Sequence, residues 1–594
     1  MQTFDHNLIR AMLPELLLTA VACVLFLLGV SSKAGARRLA PVLAVLALIV
    51  VFGMQVMAAE RNSTLADQYN TFRVFQFTDY IKMLTAGVGV LLVLLAWPTN
   101  ADATGNSALH FGADAGEFFG LMLLSLAGVM LVAGANDMIL LFLGLELASI
   151  PTYILVSISR PLPVAQEAGV KYFFLGAMSA ALMLFGFSYL YGTTGTTSLH
   201  EIAVRMNQSG ADAGGTNARD LAPIVISSWQ QLAVVMLVAG FAFKIAAFPL
   251  HFYAGDVYQG AATPITAFLS FVPKTSGMVA LIKLLFVVSG GAWESPEFLQ
   301  KLLWIMAVLT MTAGNVLGLL QFNVKRVLAY SSIAHTGYML VGLTTYAVSG
   351  TGAPAKQSAL EGVLFYLASY GIMNAGAFGV LMLLPARTAG PFRSSPTPLP
   401  ATSAETYEDL AGTGRRHVGL GLAMAVCCFS LIGLPLTVGF WGKLFLIRPA
   451  LEAAQDPTIN SRMIWLVVIT MINAAISAAY YLRIVATMFL RPEPADLSAS
   501  DDVADRATAG TADDRTSRPD ADASLPTPMP IAIAIGLSVF GTLLFGTLPP
   551  ATQVLNLRAS SAANIEGAGL ATYLDSDEPA PAAVPTTTAA AADR

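Results

Sequence analysis

Apolar runs of about twenty residues recur along the chain, separated by short polar stretches. An α-helix needs roughly 20 apolar residues to cross the hydrocarbon core of a bilayer. Runs of that kind lie near 11–30, 39–58, 80–97, 117–134, 138–158, 171–191, 230–250, 263–289, 302–321, 326–347, 359–384, 418–446, 463–489 and 529–548. The pattern therefore predicts an all-α integral membrane protein of about fourteen spans. No stretch between the runs reads as a large soluble domain. The first run is a membrane helix rather than a cleaved leader: Asp5 precedes Arg10, Ala11–Val30 is long enough to span, and no clear small-residue cleavage site follows.

Composition supports this. Of 594 residues, 55% are hydrophobic and 12% charged, and the mean hydropathy is +0.66. A soluble domain carries roughly 25% charged residues. The net charge of −5 decides little, and no basic run points to nucleic acid. The three cysteines, Cys23, Cys427 and Cys428, lie in apolar segments without C-x-x-C spacing, and the six histidines are scattered. Neither set forms a metal, haem or cluster motif, so no cofactor is expected in this chain.

Lys and Arg in short loops set the orientation. Lys33, Arg37, Arg38, Arg160, Lys171, Lys325, Arg326, Arg387, Arg393, Arg415 and Arg416 fall on one side, assigned to the cytoplasm. The other side has Arg61, Arg73, Arg205, Arg219, Lys301 and Lys356, mixed with acids. Both termini then lie outside. Segments 385–400, 492–526 and the tail beyond Pro550 are low in complexity, are expected to build no core, and are assigned no chemistry.

Ionisable residues inside spans carry the functional signal, because each costs at least ~2.5–3.5 kcal/mol at a span's centre. Glu146, in "LFLGLELASIPTYIL", lies too deep to reach either surface. It is a functional carboxylate or a protonated one in a helix contact. Lys244 is followed five residues later by Pro249, which deprives the Ile245 carbonyl of its helical donor. His251 lies seven residues on, nominally on the same face. Lys274 directly follows Pro273, a second expected break, whereas Lys283 reads as a snorkelling residue. His335, among Ser331, Ser332, Thr336 and Tyr338, is a relay member or a packing residue. Lys443 lies eight residues after Pro435. Lysine-then-proline in one half and proline-then-lysine in the other is the order an inverted repeat produces.

A buried lysine beside a carboxylate at variable distance can load and release a proton. Arginine cannot, because it effectively never deprotonates. A row of lysines at similar depth would pass protons through intervening water.

The segments "MLPELLLT" (12–19), "FLGLELASIPTYIL" (142–155), "EAGVKYFFLGAMSAALMLFG" (167–186), "FKIAAFPLHFYAGDVYQGAATPITAFLSFVPK" (243–274), "GNVLGLLQFNVKRVLAYSSIAHTGY" (314–338) and "GLPLTVGFWGKLFL" (433–446) appear in order. Together they resemble the subunit N family of bacterial proton-translocating NADH–quinone oxidoreductases (respiratory complex I), within the antiporter-like superfamily. The resemblance implies fourteen helices, two inverted five-helix repeats and broken seventh and twelfth spans. It implies domains at 1–115 (three N-terminal helices), 116–290 and 300–490 (the repeats), 491–528 (acidic loop), 529–549 (last helix) and 550–594 (disordered tail). It assigns the family's functional positions to Glu146, Lys244, Lys274, His335 and Lys443. NAD, FMN, iron–sulfur clusters and quinone are then expected in other subunits. The implied partners are other membrane-arm subunits, including neighbouring antiporter-like ones, and the lipid of the bacterial inner membrane. Departures from the family pattern are Gly255 and Ala262, each at a usual proline, and "GLPLTVGF" with one proline fewer. They touch local backbone, not the charged positions.

Two competing readings are a subunit of a multisubunit sodium/proton antiporter, which shares the fold, and a passive membrane scaffold. The "MLPELLLT" start and the "KYFFLGAMSA" segment disfavour the first. The cost of four mid-membrane charges disfavours the second.

Overall fold

The computed structural model describes residues 9, 11–31, 34–60, 72, 76–97, 115–159, 163–211, 226–289, 295–349, 354–384, 404–455, 460–492 and 528–563. The expected loop at 492–526, apart from Pro492, and the 385–400 segment lie outside them. In chain order the helices are α1 Leu13–Gly29, α2 Ala34–Glu60, α3 Gln76–Leu95, α4 Ala115–Gly134, α5 Met138–Ile158, α6 Pro163–Thr194, α7 Leu199–Ala211, α8 Ser228–Lys244, α9 Ala254–Gly260 and α10 Thr263–Ser289. They continue as α11 Glu297–Leu319, α12 Val324–Val348, α13 Pro354–Leu383, α14 Tyr407–Leu410, α15 Thr413–Arg416, α16 Val418–Ile432, α17 Val438–Ala453, α18 Asn460–Leu490, α19 Met529–Thr547 and α20 Pro549–Ala563.

Among the described residues, ten helices are long and apolar enough to cross a membrane, or eleven if the sharply bent α14–α16 segment is one span. The chain is a multi-pass membrane protein. Helices dominate because a bilayer offers no water to unpaired backbone groups, and a helix satisfies them internally. Local signals fix several starts. Asp137 accepts from the amides of Ile139 and Leu140 at α5. Ser227 and Gln230 form a capping box at α8, and Asn323 accepts from Arg326 N at α12.

Helices α10, α12 and α13 form the centre, and nearly every residue of α10 and α12 is buried. Both expected helix breaks, α8/α9 and α16/α17, are present. The expected break at Pro273 is not: α10 runs through it from Thr263 to Ser289. Packed on all sides, α10 can keep one missing hydrogen bond within a continuous helix. The tail is also corrected in part. Residues 549–563 form α20, with Ala559, Ala562 and Ala563 buried. It packs on α3, α13 and α19, and Ser560 and Asn556 hydrogen-bond Glu361 of α13. An Ala/Ser-rich segment too polar to span can still cover helix ends. Residues 564–594 lie outside the described set.

Candidate functional site

The break after α8 is built around Lys244, that helix's last residue. The backbone then turns through Ala246 at φ 54, a left-handed conformation unusual for a side-chain-bearing residue. The Ile245 carbonyl, freed by Pro249 as the sequence predicts, lies 3.0 Å from Thr336 Oγ1 of α12. The Phe243 carbonyl accepts from Tyr253 OH at 2.8 Å. The Phe248 amide donates to Thr310 Oγ1 at 3.0 Å. Side chains of neighbouring helices thus replace the lost helical partners, which is how irregular backbone survives at membrane depth.

Lys244 Nζ lies 3.0 Å from Glu146 Oε1 of α5. It also donates to Ser149 Oγ at 2.7 Å and Tyr153 OH at 3.4 Å. Lys244 is buried, whereas the Glu146 side chain keeps 16% of its surface. Glu146 sits in an exposed apolar stripe with Ile139, Leu143, Ile150 and Ile154. Glu146 therefore stands at an edge of the bundle, with its carboxylate turned to the buried Lys244.

From Lys244 the site runs inward. A cavity between Lys244 and Lys274 is walled by Tyr172, Tyr253, Tyr258, Leu269 and Pro273, and the space open to a water's centre is about 10 Å³. That is about the minimum for one water. Lys274 Nζ donates to the Ser332 carbonyl and to Thr336 Oγ1 at 3.0 Å. The same threonine hydroxyl thus meets both the broken helix and this lysine. Ser332 Oγ accepts from Tyr370 OH at 2.6 Å.

His335, one turn from Ser332, is 1% exposed. Its Nδ1 is 2.5 Å from Tyr366 OH and its Nε2 2.9 Å from Tyr481 OH. The Tyr370 and Tyr338 rings flank it, with centroids 5.2 and 5.5 Å away.

Tyr338 leads to Lys443, whose ammonium stands 5.0 Å from that ring's centroid. Lys443 Nζ donates to the carbonyls of Leu431 and Ile432, at 3.0 and 2.6 Å, at the C-terminal end of α16. A cation there also meets the negative end of the helix dipole. Gly433 makes this possible. It has φ 89, and a Cβ would stand 2.9 Å from Lys443 Cδ. Leu436, also left-handed at φ 72, completes the second break. Leu434 and Leu436 are exposed there, whereas at the first break Ile245, Ala246 and Ala247 are buried and only Pro249 and Phe252, further on, are exposed.

The structure thus brings Lys244 to Glu146, leaves a small cavity between Lys244 and Lys274, and sets Tyr338 beside both His335 and Lys443, in one cluster of contacts. His251 does not join it. Because α8 ends at Lys244, the helical-face relation is lost, and His251 stacks on Phe248 at 5.5 Å. Lys283 is half-buried and donates to the Ala135 carbonyl beyond α4 rather than snorkelling outward.

Sequence reasoning overlooked two ion pairs, one buried and one half-buried. Lys82 lies 2.8 Å from Glu15, in a segment quoted for resemblance but not weighed for charge. Lys325 lies 3.2 Å from Glu405 and was counted only as a loop cation. It also left out Tyr366 and Tyr370, whose four-residue spacing on a helix places both rings toward His335. No group of three or more His, Cys, Asp or Glu suited to a metal occurs among the described residues.

A family profile described as NADH:quinone oxidoreductase/Mrp antiporter, transmembrane, matches residues 135–477. That defines the class: the antiporter-like membrane subunits. Within it, NADH-quinone oxidoreductase subunit N of Trichlorobacter lovleyi is 36% identical over 498 residues, covering 83% of this chain and 89% of that protein. Subunit N 1 of Solibacter usitatus is 30% identical over 561 residues, 93% of this chain and 97% of that protein. A chain of respiratory complex I from Thermus thermophilus superposes with a TM-score of 0.64 at 25% identity, over 92% of this chain and 99% of that one. A chain of the Mrp complex from Dietzia sp. shares the fold, with a TM-score of 0.65 at 21% identity over 93% and 97%. The chain belongs to the NADH-quinone oxidoreductase subunit N family.

Proposed function

We propose that this chain is the proton-translocating subunit N of a membrane-bound NADH–quinone oxidoreductase, carrying protons along Glu146, Lys244, Lys274, His335 and Lys443. The observation that carries the reading is the continuity of titratable and hydroxyl side chains from Glu146 to Lys443, without a long apolar gap, at two broken helices. Lysines can load and release protons where arginines cannot. Serine, threonine and tyrosine hydroxyls both donate and accept, so they can bridge donor and acceptor. Quinone reduction in other subunits would drive the cycle. NAD, FMN, iron–sulfur clusters and quinone belong to those subunits.

Both ends of the row reach an uncovered edge. At one end Glu146 interrupts an apolar stripe; at the other, irregular backbone at 433–436 is exposed. Neither feature suits lipid, which supports neighbouring membrane-arm subunits on both sides. The fourteen-helix count, with inverted repeats at 116–290 and 300–490, three preceding helices and a last helix at 529–549, belongs to this proposal, as do the bacterial inner membrane and both termini outside it. The sodium/proton antiporter reading shares the fold, but the relatives at 30% identity or more named above are subunit N.

The test is proton pumping by the assembled complex in vesicles with Lys443→Ala. Pumping should fall while the complex still assembles. Undiminished pumping would remove Lys443 from the path. Metal analysis of the purified subunit should find no stoichiometric iron or zinc.

A further inference from the structure

A hollow opens on the face that carries Arg326, and it shares its walls with the Lys244–Lys274 cavity. The hollow is lined by Val164, Glu167, Lys171, Asp256, Gln259 and Arg326, with about 140 Å³ open to the centre of a water. A single water needs roughly 10–15 Å³ by that measure, so several fit. Helix α9 gives Asp256 and Gln259 to the hollow and Val257 and Tyr258 to the cavity. Helix α6 gives Lys171 to the hollow and Tyr172 to the cavity. Successive helical residues point about 100° apart, so one helix can line two spaces. The partition between them is therefore a single helix thick, and α9 is only seven residues long.

Charge holds the partition in place. Asp256 Oδ1 accepts from Arg326 Nη1 at 2.9 Å, and its Oδ2 lies 3.3 Å from Lys171 Nζ. Arg326 also reaches Gln259 Oε1 at 3.0 Å, and Lys171 pairs with Glu167 at 2.7 Å. The adjacent Lys325 donates to the carbonyls of Gln259 and Ala261 at 3.2 and 2.8 Å, gripping the end of α9. At Gly255 a Cβ would stand 3.0 Å from Tyr330 OH and 3.3 Å from Arg326 Nη2, so α12 closes onto α9 where no side chain intervenes. The Asp256 pairs are partly exposed. Pairs of that kind are weak and are broken and remade at little cost.

We propose that this hollow is the mouth through which protons enter the Lys244–Lys274 cavity, and that the Asp256–Arg326 and Asp256–Lys171 ion pairs are the latch that keeps α9 closed over it. The inference rests on the reading of the lysine row as a proton path. It adds the residues at the entrance and the ion pairs that hold α9 over it.

The test uses the whole complex in membrane vesicles. In a Cys23→Ser background, Val257→Cys places a thiol on the cavity wall; the remaining Cys427 and Cys428 are buried. A small charged methanethiosulfonate should label that thiol slowly. Adding Asp256→Asn should speed labelling severalfold, and only with reagent on the Arg326 side. An unchanged rate, or faster labelling from the opposite side, would overturn the latch. A second measurement fills the hollow with Val164→Trp, which should lower proton pumping severalfold, while Val170→Trp on the exposed face of the same helix leaves it intact. Full pumping with Val164→Trp overturns the mouth. Lys244→Ala is measured alongside. If it alone stops pumping, the mouth is refuted and the row stands; if it pumps normally, the row itself is refuted.

Discussion

An ammonium group in a bilayer must find partners inside the protein, and the three lysines of the row find different ones. Lys244 has a carboxylate and a hydroxyl, Glu146 and Ser149. Lys274 has the Ser332 carbonyl and a threonine hydroxyl. Lys443 has two carbonyls at a helix end. Only Lys244 is paired with a formal charge that proton movement would change. Lys244→Ala leaves Glu146 without its cation and removes the first lysine of the row. The subunit should stay folded while pumping and coupled quinone reduction fall. Lys244→Arg keeps the charge but cannot release a proton, so pumping should fail with the complex intact. If both variants pumped at the normal rate in vesicles, Lys244 would be structural. Thr336 is a second sensitive point, because one hydroxyl serves both the Ile245 carbonyl and Lys274. Thr336→Val keeps the shape and strands a buried carbonyl, at a cost of about 1–3 kcal/mol. Thermal unfolding of the purified complex should shift downward and pumping should drop; an unshifted transition with full pumping would remove Thr336 from both roles.

At the scale of elements, hydrophobic pattern located the ten or eleven long apolar helices among the described residues, and proline spacing located two breaks. What it missed came from packing. Pro273 reads as a breaker, yet α10 is continuous because its neighbours enclose it. His251 reads as sharing a face with Lys244, yet the helix ends between them. The Glu15–Lys82 pair joins residues 67 apart in sequence, and no periodicity links them. The lysines and the glutamate of the row stood out because charge in an apolar run is rare. The tyrosines around His335 did not, because an aromatic ring in a membrane helix is unremarkable until its hydroxyl is placed. Helix α20 was hidden for a related reason: its low apolar content argues against a span but not against a helix lying across others. This splits the tail into two parts with different expected behaviour. Truncation after Ala563 should leave assembly and pumping near normal, as should deletion of 493–526. Truncation after Leu548 removes the buried alanines and the Glu361 contacts, and should lower the yield of assembled complex on a native gel. Equal yields from both truncations would make α20 a passive appendage.

At the scale of the whole molecule, the row needs a direction, and direction depends on which face is cytoplasmic. On the proposed count of fourteen spans, most basic residues of the short loops share a side with Arg326, Arg415 and Arg416, and cytoplasmic loops carry such an excess. The mouth proposed at Lys171 and Arg326 opens on that face. The N-terminal end of α1 and helix α20 then belong to the opposite one, provided the spans number fourteen: an even number returns the chain to its starting side. On the proposed count each broken pair, α8/α9 and α16/α17, is one crossing, not two; their first pieces are 17 and 15 residues long. A cysteine placed beyond Arg594 in the Cys23→Ser background should therefore react with a membrane-impermeant maleimide added to intact spheroplasts, and a cysteine at Arg416 should react only after permeabilisation. Reaction of the C-terminal cysteine only after permeabilisation, with Arg416 unchanged, would make the number of crossings after Arg416 wrong by one. Reversal of both sites would invert the whole assignment, and protons would then enter the hollow from outside.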